Sequence, residues 1–207
     1  MNPTPSPEVG GAITALVQGR HQQPHDLLGQ HLEPGGLRIR VLKPLAQSVQ
    51  VRFEDGVTLD LAHEAEGVWT AVRADAERTM DYRLAVAWAD GIEHVQDDPY
   101  RFAPTLGEVD LHLVNEGRHE LLWTVLGSRL HEYDGPMGPV KGVAFAVWAP
   151  RAKAVRVIGD FNDGDGRIHP RRMLGGSGVW ELFVPDVGVG NIYKYEIRGA
   201  DDVVRTK

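Results

Sequence analysis

The chain of 207 residues contains no cysteine, so neither disulfide bonds nor thiolate metal ligands contribute to its fold. It also lacks a long apolar segment. The longest apolar run, at residues 143–149, has seven residues, far fewer than the roughly 18 needed to span a bilayer. No signal-peptide core follows the proline-rich start, and we expect residues 1–7 to form a flexible tail. These absences predict a cytoplasmic protein that does not enter a membrane.

Positive charge is also in deficit, because 22 Lys and Arg stand against 29 Asp and Glu, for a net charge of −7. This excess of negative charge argues against nucleic acid or an anionic membrane surface as a partner. Hydrophobic residues make up 42% of the chain and charged residues 25%, the balance of a globular protein. The length suffices for one large domain or for two modules of about 100 residues.

After residue 36 the sequence alternates between apolar and polar residues. The clearest runs are residues 37–41, 49–53 and 82–88, separated by turn signals at Asp55-Gly56 and Asp90-Gly91. This period of two is typical of antiparallel strands with one buried and one solvated face.

The second half of the chain repeats the first. Residues 37–44 align with 143–150 at an offset of 106, and the Gly-Val-Trp stretch at 67–69 aligns with 178–180 at an offset of 111. Since Trp69 and Trp180 occupy matching positions, we expect both in a core. The pattern predicts an all-β protein of two tandem immunoglobulin-like β-sandwiches, joined by a short helical linker.

Two stretches have helical periodicity. Apolar residues at 13, 16 and 17 predict a short helix over residues 11–19, ended by Gly19, and those at 121, 122, 125 and 126 predict a helix over residues 115–129. The predicted organisation is an N-terminal tail and short helix (1–25), an N-terminal β-sandwich (26–110), a helical linker (111–140) and a second β-sandwich (141–207).

The most polar motif is Gly-Asp-Phe-Asn-Asp-Gly-Asp-Gly at residues 159–166. A calcium loop that starts at Asp160 fails, because Gly164 and Arg171 occupy its fifth and twelfth positions. An exposed glycine-rich turn also cannot desolvate a carboxylate for glycosidase chemistry. We therefore expect a turn in which Asp and Asn side chains cap local backbone amides.

No other motif points to chemistry. His21, His25 and His31 fit no zinc spacing, and the chain has no phosphate loop, nucleophile elbow or dinucleotide fingerprint. We assign no catalytic residue, no metal ligand and no cofactor.

Trp148 lies on the strand face opposite Val143, Phe145 and Val147, where the first copy has Leu42. An apolar residue on an outer face packs against a neighbouring domain or, in the case of tryptophan, stacks on a sugar ring. The sequence leaves both interpretations open.

Five stretches in a fixed order resemble the family 48 carbohydrate-binding module of bacterial glycogen branching enzymes. They are Phe-Ala-Val-Trp-Ala-Pro (145–150), Gly-Asp-Phe-Asn (159–162), Arg-Ile-His-Pro (167–170), Gly-Val-Trp-Glu-Leu-Phe-Val-Pro (178–185) and Tyr-Lys-Tyr-Glu (193–196). The first copy resembles the additional N-terminal sandwich of these enzymes, and Gly19-Arg20-His21 is similar to their opening.

This resemblance implies the non-catalytic N-terminal part of a 1,4-alpha-glucan branching enzyme, a retaining glycosyltransferase that forms α-1,6 branches in glycogen. The catalytic Asp and Glu of such enzymes belong to a (β/α)₈ barrel, on which this part would pack. The offset of 111 places the counterpart of Asp98-Pro99-Tyr100 just after Lys207, so we expect a fragment that ends near a module boundary. The alternatives are a stand-alone glucan-binding or scaffolding protein, or the N-terminal part of a debranching enzyme or trehalohydrolase.

The resemblance also implies an α-1,4-glucan as the partner, with Trp148, Asn162 and Lys194 as candidate contacts. Relatives carry a stacking tryptophan in the loop after Asp-Phe-Asn, whereas this chain has Asp163-Gly164-Asp165 there. A lysine in water does not replace the stacking of about 1 kcal/mol or more from an aromatic ring. We therefore expect weak or no maltooligosaccharide binding at this face.

Overall fold

The computed structural model describes residues 5–207, so most of the tail predicted at residues 1–7 lies outside the described residues. Residue 7 itself begins a helix. The chain forms two antiparallel β-sandwich modules, each preceded by a short helix. The prediction of an all-β fold with two tandem sandwiches is confirmed.

Module one comprises residues 7–101 and module two residues 105–207. In module one, helix α1 (Pro7–Val17) and a 3-10 turn (Pro24–Asp26) precede the strands, and a second 3-10 turn (Pro99–Arg101) follows them. The strands are β1 (Gly29–Glu33), β2 (Gly36–Leu42), β3 (Ser48–Phe53), β4 (Thr58–Ala65), β5 (Val68–Arg73), β6 (Tyr82–Ala87) and β7 (Glu93–Gln96). They form one folded sheet of order β1-β2-β5-β4-β3-β6-β7, and β4 has a bulge between His63 and Ala65 where it passes between the two layers.

Module two contains helix α2 (Glu108–Asn115), 3-10 turns at Leu122–Thr124, Asp160–Asn162 and Gly166–Ile168, and two sheets. The sheets are β11-β12-β9-β8 and β10-β13-β14. Their strands are β8 (Gly127–Tyr133), β9 (Val140–Trp148), β10 (Ala154–Gly159), β11 (Arg172–Met173), β12 (Val179–Pro185), β13 (Tyr193–Arg198) and β14 (Val204–Thr206).

The two modules share strand register as well as sequence. The pair Leu42↔Val68 of module one recurs as Trp148↔Val179 in module two, at the two offsets that the sequence gives. The indole N–H of Trp69 donates to the backbone carbonyl of Lys43, and that of Trp180 donates to the carbonyl at the matching position, Ala149. Both distances are 3.1 Å. Trp180 is fully buried as expected, while Trp69 is half-buried and packs against the core of module one.

The predicted helix over residues 115–129 is wrong. Helix α2 ends at Asn115 because Gly117 takes a left-handed backbone (φ +65), and the stretch that follows forms the turn Leu122–Thr124 and then strand β8. Strand β8 pairs with β9 along seven residues at the edge of the sheet.

This segment repeats the start of module one at a third offset, of 98. Gly19 and Gly117 both end a helix with a left-handed backbone (φ +64 and +65), and β1 and β8 occupy the same edge beside β2 and β9. The repeated unit therefore includes the helix and the first strand as well as the sandwich. The first helix runs from Pro7 to Val17, capped by Ser6, and not from residue 11 to 19.

A single apolar core connects the modules. Ile13 and Leu16 of α1 lie in one cluster with Leu42 of module one and with Phe145 and Leu182 of module two. All five are at most 3% exposed. Because the interface buries apolar side chains from four elements, α1, β2, β9 and β12, the two modules form one packed unit.

Candidate functional site

The polar motif at residues 159–166 is a capped turn, as the sequence predicts. The Asp160 carboxylate accepts from the Asn191 amide at 2.9 Å and the Ile192 backbone N–H at 3.2 Å, and these hydrogen bonds lower its pKa. Asp165 accepts from the backbone N–H of Arg167 at 2.9 Å. Asp165 therefore caps the backbone of its own loop, while Asp160 ties that loop to the neighbouring one at residues 191–192.

Asn162 is buried in this turn and uses its amide inside the protein. Its Oδ1 accepts from the Gly159 N–H at 2.8 Å, while its Nδ2 donates to the Val157 carbonyl at 3.0 Å and lies 2.8 Å from Nδ1 of His169. Both amide hydrogens are engaged in this way. The side chain therefore stabilises the loop from the protein interior and has no free donor for a sugar.

Lys194 and Trp148 are exposed but lie on different sheets. Lys194 is on β13 opposite Ile158, and Trp148, 56% exposed, ends β9 with its indole N–H donating to the Ser177 carbonyl at 3.1 Å. Trp148 borders a groove of about 570 Å³ that also includes Pro150 and Ile197, but not Lys194. The structure places Trp148 on a different sheet from Lys194, and the contact of all three candidate residues with glucan stays a prediction.

The three N-terminal histidines each have a different partner and do not share a site. His21 Nδ1 accepts from the Gln23 N–H, His31 Nε2 lies 3.1 Å from the Leu28 carbonyl, and His25 packs edge-on against Tyr100 with ring centres 5.2 Å apart. Within residues 5–207 no three His, Asp or Glu side chains are grouped closely enough to hold a metal ion. No helix in that part of the chain is long and apolar enough to cross a membrane.

A second cleft, which no sequence motif predicts, lies between the modules and has a volume of about 250 Å³. Module one supplies Lys43 and Trp88, and module two supplies His169 and Asp186. The duplication contains a signal that could have drawn attention to this site: at the matching positions of module two, Lys43 is replaced by alanine and Trp88 by glycine.

Burial and charge perturb the polar groups of this cleft. Burial lowers the pKa of Lys43, and burial with the nearby positive charges of Lys43 and Arg171 lowers the pKa of His169 to about 3. Burial and the neighbouring Asp97 raise the pKa of Asp186. At neutral pH, His169 is therefore a neutral imidazole.

The repeated register and the paired tryptophans define a protein class of tandem immunoglobulin-like β-sandwiches. Two family models match this chain. Residues 10–100 match the N-terminal domain of the alpha-1,4-glucan branching enzyme GlgB, and residues 126–207 match carbohydrate-binding module 48, the isoamylase N-terminal domain. The two matches together cover most of the chain, which is thus similar to the N-terminal region of bacterial glycogen branching enzymes.

Curated relatives agree with these matches. The 1,4-alpha-glucan branching enzyme GlgB of Rhodococcus jostii is 50% identical over 195 residues, covering 94% of this chain and 26% of that protein. The enzymes of Thermobifida fusca and Myxococcus xanthus are 53% and 43% identical, covering 86% and 95% of this chain and 24% and 26% of theirs. The chain thus spans about a quarter of the length of the curated relatives it matches.

Proposed function

We propose that this chain is the non-catalytic N-terminal part of a cytoplasmic 1,4-alpha-glucan branching enzyme, which transfers an α-1,4-glucan segment to form an α-1,6 branch in glycogen. The observation that carries the proposal is the order of the two modules: a GlgB-type sandwich directly followed by a family 48 module. The chain by itself is proposed to be inactive and to act by packing on a catalytic domain.

The internal repeat supports a docking surface for that domain. Leu42 of module one is 3% exposed and belongs to the core that module one shares with module two. Its counterpart in module two, Trp148, is 56% exposed. A second pair shows the same increase in exposure. His25 of module one is half-buried, whereas Trp123, its counterpart at the offset of 98, is 77% exposed.

Leu122 and Trp148 line one small pocket, and Leu121 and Trp123 are the chain neighbours of Leu122. We name these four residues the Trp148 face. All four side chains are at least 41% exposed, a concentration of large apolar groups that is unusual for a free surface. We propose that the catalytic domain covers this face as module two covers the matching face of module one. The domain bounds predicted from the sequence, with a second sandwich starting near residue 141, stay a proposal.

Iodine staining of amylose tests this function. The protein encoded by the complete gene is expected to lower the stain by branching, whereas the 207-residue chain leaves it unchanged. Activity of the short chain alone, or none in the complete protein, would contradict the proposal.

The docking surface is tested in the complete protein with the double variant Trp123→Ala/Trp148→Ala. We expect a lower midpoint for the thermal unfolding of the catalytic domain, because the variant removes two large side chains from the proposed interface. The control is Val189→Ala, at a 90% exposed site in a loop elsewhere. Equal unfolding midpoints for the double variant and the control would exclude the Trp148 face as the docking surface.

A further inference from the structure

The cleft between the modules, here named the inter-module cleft, is lined by Lys43, Trp88 and Gln96 of module one and by His169, Asp186 and Val187 of module two. Its volume of about 250 Å³ lies below the range of drug-sized ligand pockets, so it fits one small ring rather than a long chain. A ligand there would contact both modules at once.

The hydrogen-bond pattern fixes which nitrogen of His169 carries the proton. Asn162 Oδ1 accepts from the Gly159 N–H and its Nδ2 donates to the Val157 carbonyl, so the amide can have only one orientation. The second Nδ2 hydrogen therefore points to His169 Nδ1, which must accept it. The neutral ring then carries its proton on Nε2, and the one side-chain hydrogen bond of His169 among residues 5–207 is made by Nδ1.

Further unused groups lie in the same cleft. The Lys43 ammonium donates one hydrogen to Gln96 Oε1 at 3.0 Å, which leaves two for a ligand. The Asp186 carboxylate accepts no hydrogen bond from the described residues, unlike Asp97, which is held by Arg101 at 2.6 Å. The half-buried Trp88 adds an apolar surface at the rim.

The fold itself does not require these side chains. Module two keeps the strand register of module one but has Ala149 in place of Lys43 and Gly199 in place of Trp88. A sandwich of this design therefore folds without the lysine or the tryptophan. Their presence in module one, on the cleft, calls for another explanation.

Donors, a carboxylate and an aromatic ring in a small cleft select a class of ligand. The carboxylates of Asp97 and Asp186 repel a phosphate, and the polar groups would be left unsatisfied by an apolar ligand. A neutral ring with several hydroxyls satisfies all of them, because hydroxyls accept from Lys43 and His169 and donate to Asp186.

We propose that the inter-module cleft binds the terminal glucosyl unit of a short α-1,4-glucan, with Trp88 against the sugar ring. The choice of glucan among sugars rests on the proposed function. The site is separate from the exposed face of Lys194, and its occupation ties the two modules together.

The test is titration of the 207-residue protein with maltotriose, followed by amide chemical shifts. The informative variants are Asp186→Asn, Trp88→Ala and Lys43→Met. The matched controls are Asp163→Asn, since Asp163 and Asp186 both have a left-handed backbone (φ 52 and 61), and Val109→Ala at a 72% exposed site on helix α2. Circular dichroism verifies that each variant is folded, and a misfolded Trp88→Ala leaves the other two to decide.

We expect shifts centred on Lys43, His169 and Val187 and roughly tenfold weaker binding in each informative variant, the size expected for loss of a charged hydrogen bond or a stacked ring. The controls should bind as the parent does. Shifts centred on Lys194, or equal affinity in Asp186→Asn and Asp163→Asn, would overturn the proposal, as would no binding at all. Branching activity of the complete protein that survives these substitutions leaves the proposed function standing, so the two failures are distinguishable.

Discussion

Acid should destabilise this protein through His169, whose side chain is 8% exposed and accepts a hydrogen bond from Asn162 at 2.8 Å. Burial, with the positive charges of Lys43 and Arg171, lowers its pKa in the folded protein to about 3. In the unfolded chain the pKa returns to about 6.5. The unfolded state therefore binds a proton in a pH range in which the folded state does not.

The direction and the size of the change in stability follow from this difference in pKa between the folded and unfolded states. Stability contributed by the neutral ring is present above pH 6.5 and is lost as the pH falls toward 3, because only the unfolded state gains the proton there. Between pH 7 and pH 5 the loss from this one residue is about 2 kcal/mol. That is a large share of the roughly 5–15 kcal/mol by which a domain is stable.

Urea unfolding of the parent and of His169→Asn at pH 7 and pH 5 measures the effect. The asparagine carbonyl can accept from Asn162 in place of Nδ1 but cannot titrate. We expect the parent to lose about 2 kcal/mol more than the variant between the two pH values. His25, whose pKa burial lowers to about 2, contributes equally to both proteins and cancels. An identical pH dependence in the two proteins would refute the assignment.

Three further predictions concern the free energy of unfolding, measured by chemical denaturation. Gly178→Ala should cost about 1–3 kcal/mol, because Gly178 has φ +72 and an added Cβ would lie 2.6 Å from a facing proline, whereas Gly176→Ala, with open space, should be nearly neutral. Glu181→Ala should cost about 3–5 kcal/mol, since it leaves the buried partner Arg172 unpaired 3.4 Å away. Ile13→Ala should cost about 2–5 kcal/mol through the shared core. Equal stability of the two glycine variants, or losses below 1 kcal/mol for the other two, would contradict these assignments.

The regular alternation of the sandwich strands made their positions predictable from the sequence, and two offsets were enough to align them. Strands β4, β7 and β14 lie outside the predicted runs. Strands β1 and β8 were also missed, because β1 has a single apolar residue, Leu32, and β8 follows an apolar stretch with helical spacing. A signal was present: Gly-Arg-His at 19–21 recurs at 117–119 and Leu-Gly at 28–29 recurs at 126–127. For the inter-module cleft, the repeat marks Lys43 and Trp88 as residues that module two lacks, but the shape of the cleft could not be predicted, since its walls come from residues far apart in sequence that only the packing of the two modules brings together.

The three offsets locate where the copies diverged. The increase of the offset from 98 to 106 corresponds to residues inserted between β8 and β9. In this loop the Met137 N–H donates to Asp81 of module one at 3.0 Å.

The change from 106 to 111 falls between β10 and β12, where module two replaces strand β4 with the loop that carries His169. In that loop the carbonyl of Pro170 accepts from the Tyr100 hydroxyl of module one at 3.1 Å. Both insertions thus face module one, whereas the strands that build each core kept their register. A duplicated sandwich can change its loops at small cost while its core stays fixed. The second copy therefore diverged where it meets the first, and the inter-module cleft lies along that line of contact.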